Sequence, residues 1–117
     1  MPTICCTLGL DAADAVLNRP AVVLRPAETA ALEVFAAARP MPLTRAALGA
    51  EGMRRVFGMS ELPALREELR AGLVAIEAAA LPGQLVLALA LQRLVTVCGT
   101  ALEFGMNLYV RLADEGE

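Results

Sequence analysis

The stretch SELPALREELRAGLVAIEAAALPGQLVLALALQRLVTVCGTALEFG, residues 60–105, decides the fold. Its first half is amphipathic, because large apolar residues recur at spacings of three and four and fall within about 60° of one another on a helix. Ser60 can cap the helix, and Pro63 is tolerated in its first turn. The pattern predicts a helix over residues 60–80. Its apolar stripe consists of Leu62, Leu65, Leu69, Leu73, Ile76 and Ala80.

The second half, residues 84–104, is apolar on nearly every face and follows the break Leu81-Pro82-Gly83. Alternation of large and small residues in LVLALAL would also suit a strand. A run this long without turn residues favours a helix buried on most faces, with Gly105 as its C-terminal stop. We therefore expect two long helices, over about 60–80 and 84–104, packed against each other.

The two ends of the chain have strand composition. TICCTLGL at 3–10 and MNLYVRL at 106–112 are rich in β-branched and other apolar residues, and these two strands could pair. Between them, Asp11 is a predicted N-cap for a helix over 12–18, with Asp14 at the capping-box position. Pro26 suits the first turn of a further helix, 27–38. The short segment 21–25 suits a strand or extended chain.

The segment 43–58 gives conflicting signals. It follows the stretch 39–42, where prolines at 40 and 42 forbid a continuous helix. LTRAAL suits a helical turn, GAEG a loop, and MRRVFG a strand or a turn of helix, while the tail 113–117 should fray. The fold class predicted for residues 1–117 is therefore a single α+β domain, predominantly helical, with shorter N-terminal helices and a small sheet from the terminal segments.

The composition excludes several chemistries. The chain has no histidine, and all ten basic residues are arginines. Ser-His-Asp and Cys-His catalysis, histidine metal sites, Schiff bases and a P-loop lysine are thereby excluded. The absence of lysine suggests a GC-rich bacterial genome. A net charge of −3, with Arg54-Arg55 as the densest basic cluster, argues against nucleic-acid binding.

The cysteines indicate a reducing compartment. Three of them cannot form a paired framework, and the adjacent Cys5 and Cys6 are too strained to bridge each other. The N-terminus lacks the basic region of a secretory signal, so we expect a cytoplasmic protein. The apolar run at 78–102 is long enough for a membrane span, but proline, glycine, glutamine and Arg93 interrupt it, which favours a core helix.

Three groups of residues could carry chemistry. Cys5 and Cys6 could supply a thiolate or a soft-metal ligand, but a strand would place them on opposite faces, so packing roles are preferred. Glu67 and Glu68 diverge on their helix, so they do not form an acid/base pair, and Glu67 can pair with Arg70. Arg93 interrupts an apolar helix, and its predicted partner is Glu77. No catalytic residue, metal site or cofactor is predicted.

We therefore expect a non-catalytic protein-binding module, with an immunity or antitoxin-type inhibitor as the narrower hypothesis. Acidic inhibitors gain association rate from electrostatic steering. The candidate partner interface is a charged helix face, and Arg93 is the candidate contact for an anion or ligand. Two alternatives remain open: a homo-oligomeric accessory or structural protein, and a binder of small apolar ligands or an enzyme that uses Cys5 or Cys6. The candidate interface consists of Glu67, Glu68, Arg70 and Glu77.

Overall fold

A computed structural model describes residues 2–48, 54–79 and 84–114. Along the chain, nine elements are present in these ranges, and the α+β, predominantly helical prediction is confirmed. They are β1 (Pro2–Gly9), α1 (Ala12–Leu17), β2 (Val22–Leu24), α2 (Pro26–Ala37), α3 (Pro42–Leu48), β3 (Arg54–Phe57), α4 (Leu62–Ala79), α5 (Leu85–Phe104) and β4 (Asn107–Asp114). The predicted loop at 49–52 and the break at 81–83 lie outside the described residues.

The four strands form one antiparallel sheet in the order β2-β1-β4-β3. The terminal segments pair as predicted, with Cys6 opposite Val110 and Leu8 opposite Leu108. The open choices at 21–25 and 53–58 are settled as the short edge strands β2 and β3. LTRAAL belongs to a helix, α3.

One face of the sheet carries the helices. Alternate residues of the strands, among them Ile4, Leu24 and Phe57, point into the same apolar core as Leu69 of α4 and Leu91 of α5. The helix α1 lies on the opposite face, where a Cβ added at Gly9 would come within 2.6 Å of the backbone nitrogen of Ala15. Glycine at position 9 therefore allows α1 to lie directly on β1.

Two predicted helix ends are confirmed. The amide of Asp14 donates to Oδ1 of Asp11 at 2.8 Å, and Oδ2 of Asp14 accepts from the amide of Leu10 at 2.8 Å. In a standard capping box the side chain of Asp14 would accept from the amide of the N-cap residue, Asp11. Here it accepts from the amide of Leu10, one residue earlier, so the arrangement is a variant of the capping box. Gly105 ends α5 in the left-handed conformation, with φ of 67°.

An arginine–glutamate pair lies at each edge strand of the sheet. On β3 itself, Arg55 Nη1 lies 3.5 Å from the carbonyl oxygen of the next residue, Val56, and its Nη2 lies 2.7 Å from Oε2 of Glu61. Beside β2, Arg93 of α5 lies 3.5 Å from the carbonyl oxygen of Val23 and pairs with a glutamate. Both edges therefore carry a guanidinium against a strand carbonyl.

The helix α5 departs from its prediction. Seven of its twenty residues are buried, so the expectation that it would be buried on most faces is wrong. The sheet, α2 and α4 pack against it but leave one side uncovered. That uncovered side forms one wall of the candidate site.

Candidate functional site: a groove beside α5

A groove of about 750 Å³ runs between the uncovered side of α5 and a wall made by β2 and the first turn of α2. From Val86 to Thr100, both of which line it, the helix rises about 21 Å. The groove is therefore long enough to accommodate several turns of helix. Its apolar lining comes from Leu8, Val22, Ala27, Val86, Leu89 and Val97.

Large apolar side chains are exposed along this side of α5. The exposed fractions are 69% for Leu85, 48% for Val86, 49% for Leu89 and 62% for Phe104. Soluble monomers seldom concentrate such residues on one helix face, and exposed apolar patches commonly mark interaction surfaces. We call the combination of this groove with Val86, Leu89, Arg93, Thr96, Thr100 and Phe104 the groove face.

The centre of the groove face is polar but internally satisfied. The hydroxyl of Thr96 donates to the carbonyl oxygen of Gln92 at 2.9 Å, and that of Thr100 donates to the carbonyl oxygen of Thr96 at 3.1 Å. A binding partner therefore does not have to supply acceptors for these hydroxyl protons.

Arg93 pairs with Glu28 of α2, so the predicted Glu77–Arg93 pair is wrong. Arg93 Nη2 contacts Oε2 of Glu28, and Nη1 donates to Val23. Oε1 of Glu28 accepts from the amide of Arg25, which precedes α2, at 3.1 Å. Arg93 therefore faces α2 and β2 rather than α4, and an anion that approached it would have to compete with Glu28.

The predicted α4 interface divides into two parts. Glu67 and Arg70 lie on the exposed face and form the expected i,i+3 ion pair at 3.6 Å. Glu77 is exposed on the same helix. Glu68 differs, because its carboxylate is engaged inside the fold.

Glu68 caps the helix α3. Its Oε2 accepts from the amide of Leu43 at 3.1 Å, and its Oε1 accepts from the amide and hydroxyl of Thr44, each at 3.2 Å. Orphan amides at a helix start need acceptors, and Met41, which precedes α3, has no side-chain oxygen. The missing N-cap before Pro42 was the sequence signal that α3 takes its acceptor from elsewhere.

The cysteines lie on opposite faces of the sheet, as predicted. Cys6 is in the core, where burial and then the neighbouring cysteines raise its pKa to about 12. Burial also raises the pKa of Cys98 to about 11, although Arg66 opposes the shift. Cys5 is half-buried and lines a separate hollow of about 390 Å³ with Thr7. The two core thiols are therefore protonated at neutral pH and poor nucleophiles.

Two further findings concern metals and membranes. Within residues 2–48, 54–79 and 84–114, no three His, Cys, Asp or Glu side chains are grouped so that they could hold a metal ion. In the same ranges, α5 is long and apolar enough to span a membrane by length and composition, with a mean hydropathy of 1.9. The core helix of a soluble protein passes the same test.

Comparison with protein-family models, curated proteins and solved structures gives no match. The groove face is therefore the main guide to function. The sequence did not reveal it, because the residues of β2 and α2 that form its second wall are far from α5 in the chain. The excess of apolar residues at 84–104 was the signal that pointed to it.

Proposed function

We propose that this protein is a non-catalytic protein-binding module and that the groove face is its contact surface. The observation that carries the proposal is the apolar groove flanked by exposed Leu85, Val86 and Leu89. Covering these side chains would remove apolar area from water, which is the main favourable term in protein association.

The shape of the groove favours a protein over a small molecule. Pockets for small ligands enclose most of the ligand surface. Here the α5 wall remains about half exposed at Val86 and Leu89, and the groove extends over about four turns of helix. A partner helix or similar elongated element fits this form, because an amphipathic helix places its apolar face into such grooves.

The available side chains support binding rather than turnover. The chain has neither histidine nor lysine, and its two core thiols are held protonated. Common proton carriers at neutral pH are thus missing. An immunity or antitoxin-type inhibitor is the narrower form of this proposal, and its support is the acidic net charge together with exposed Glu67 and Glu77 of α4.

A photo-crosslinking experiment tests the proposal. We would place p-benzoylphenylalanine at Leu89 of the groove face and, as a matched control, at Val74, which is 64% exposed on α4. We expect a discrete protein adduct from position 89 that is absent from position 74. In parallel, Leu89→Asp should abolish a stoichiometric complex that Val74→Asp leaves intact. Equal behaviour of the two positions, or no protein adduct at either, would refute the proposal.

A further inference from the structure

We infer that the partner of the groove face is a second copy of this chain, bound through a two-fold axis that sets the two α5 helices antiparallel. The inference rests on the proposed function, since it names the occupant of the same surface. A two-fold interface must be self-complementary, so that each copy presents both a protrusion and the hollow that receives it. The groove face has both.

The protrusion and the hollow lie on one line. Val86 and Phe104 are 18 residues apart, a spacing that corresponds to five turns of helix and a rise of about 27 Å. At one end of this line is the apolar lining from Val86 and Leu89, and at the other end is the exposed ring of Phe104. An antiparallel pair brings the Phe104 ring of each copy over Val86 and Leu89 of the other, so the dimer contains two such contacts.

A parallel pair does not give this match. It would place Phe104 against Phe104 and groove against groove, so both apolar linings would remain unfilled. Val86, Leu89 and Phe104 are on a single helix of this chain, so a second copy carries the matching spacing, whereas a foreign helix would have to reproduce it.

The centre of the antiparallel pair is electrostatically acceptable. The axis would cross α5 near residue 95, so the two copies of Arg93 and of Thr96 approach each other there. Unpaired arginines would repel, but each Arg93 is neutralised by Glu28 of its own chain. The Thr96 hydroxyl is bonded within its own helix.

The size of the groove face sets the expected strength. A stripe about 27 Å long and about two helix diameters wide covers roughly 600 Å² on each copy. The total of about 1,200 Å² lies at the low end of specific protein interfaces. Weak and transient complexes lie at this end of the range, so we expect a dimer that dissociates on dilution into the micromolar range.

Pairwise crosslinking tests the arrangement. Single cysteines would be introduced into the full chain in a Cys5→Ser background and treated with bismaleimidoethane at about 100 µM protein, well above a micromolar Kd. We expect crosslinked dimers from Thr96→Cys alone and from a mixture of the Val86→Cys and Phe104→Cys chains. Val86→Cys alone and Phe104→Cys alone should give no crosslinked dimer, and neither should the Val74→Cys control.

A second measurement does not depend on crosslinking. In sedimentation velocity, Phe104→Ala should raise the dimer Kd at least about tenfold, because aromatic anchors dominate interfaces. Val74→Ala should leave the Kd unchanged. Phe104 is largely exposed within one copy, so the variant should remain folded.

The outcomes separate this inference from the proposed function. Strong crosslinking of Val86→Cys with itself, or a monomer at all concentrations, would overturn the second-copy inference. A monomer that still forms a protein adduct from position 89 would leave the binding-module proposal standing. A monomer that forms no protein adduct there but binds phospholipid vesicles would refute both.

Discussion

Replacing Glu68 with alanine should destabilise the protein far more than replacing its neighbour Glu67. Both residues lie on α4 one position apart, so helix propensity changes equally in the two variants. Glu68 accepts three hydrogen bonds from the start of α3, whereas Glu67 makes a single 3.6 Å ion pair at the surface. The comparison therefore isolates the cap on α3.

The magnitude follows from the groups left without a partner. Loss of an N-cap costs about 0.5–2 kcal/mol, and one hydrogen bond to a charged group contributes about 1.5–3 kcal/mol. The three bonds share one carboxylate and are not additive, so we expect Glu68→Ala to lower the free energy of unfolding by about 2–4 kcal/mol. Glu67→Ala should cost less than about 0.5 kcal/mol, as exposed pairs do.

Urea unfolding followed by circular dichroism measures the difference. With a slope of about 2 kcal/mol per molar urea, the midpoint of Glu68→Ala should fall by about 1–2 M. Glu68→Gln should lie between alanine and the wild type, because an amide oxygen can still accept but carries no charge. Hydrogen exchange should accelerate first at the amides of Leu43 and Thr44.

The result that would refute the reasoning is a Glu68→Ala midpoint within error of the Glu67→Ala midpoint. Glu68 would then not hold α3, and its carboxylate would be free to join a partner interface. A large loss of stability would instead exclude Glu68 from such an interface and leave Glu67 as the exposed carboxylate of the pair.

Three further predictions concern packing, pH and charge. Gly9→Ala should lower the free energy of unfolding by about 1–3 kcal/mol, because its Cβ would meet α1. Gly99→Ala should instead raise the free energy of unfolding by about 0.5–1 kcal/mol, because nothing lies within 4 Å of a Cβ added at this position of α5. Thermal melts in which both variants shift the melting temperature in the same direction would contradict this prediction. Burial raises the pKa of Cys98 from 9.0 to about 11, so its contribution to stability is complete below pH 9 and is lost as the pH rises toward 11. In urea titrations, Cys98→Ala should therefore show a flatter decline of stability between pH 9 and 11 than the wild type. Arg93→Met should cost less than about 1 kcal/mol in the same assay, because its ion pair is partly exposed; a larger loss would show that the pair stabilises the fold.

Local patterns predicted much of the fold. The stripe that starts at Leu62 specified α4, the Gly105 stop ended α5, and Asp11 marked the start of α1. Each of these signals lies within a few residues of the structure that it specifies. The terminal strands were found for the same reason, and the expectation that they pair is confirmed.

The candidate site depended on contacts that no local pattern encodes. Arg93 and Glu28 are 65 positions apart, and Glu68 reaches Thr44 across 24. A helical wheel shows that Arg93 needs a partner but not which of several carboxylates the topology brings near. The burial of α5 was likewise beyond prediction from sequence. Composition shows that α5 is apolar, but how far the sheet, α2 and α4 extend over it determines how much of it is covered.

The guanidinium groups at the two margins of the sheet have a consequence for solubility. An added strand, as in fibril growth or edge-to-edge aggregation, would meet the ion pair of Arg93 with Glu28 beside β2 or that of Arg55 with Glu61 at β3 and would have to desolvate it. Charged side chains at such margins are a common defence against uncontrolled polymerisation. Concentrated solutions of the protein should therefore resist amyloid-type assembly.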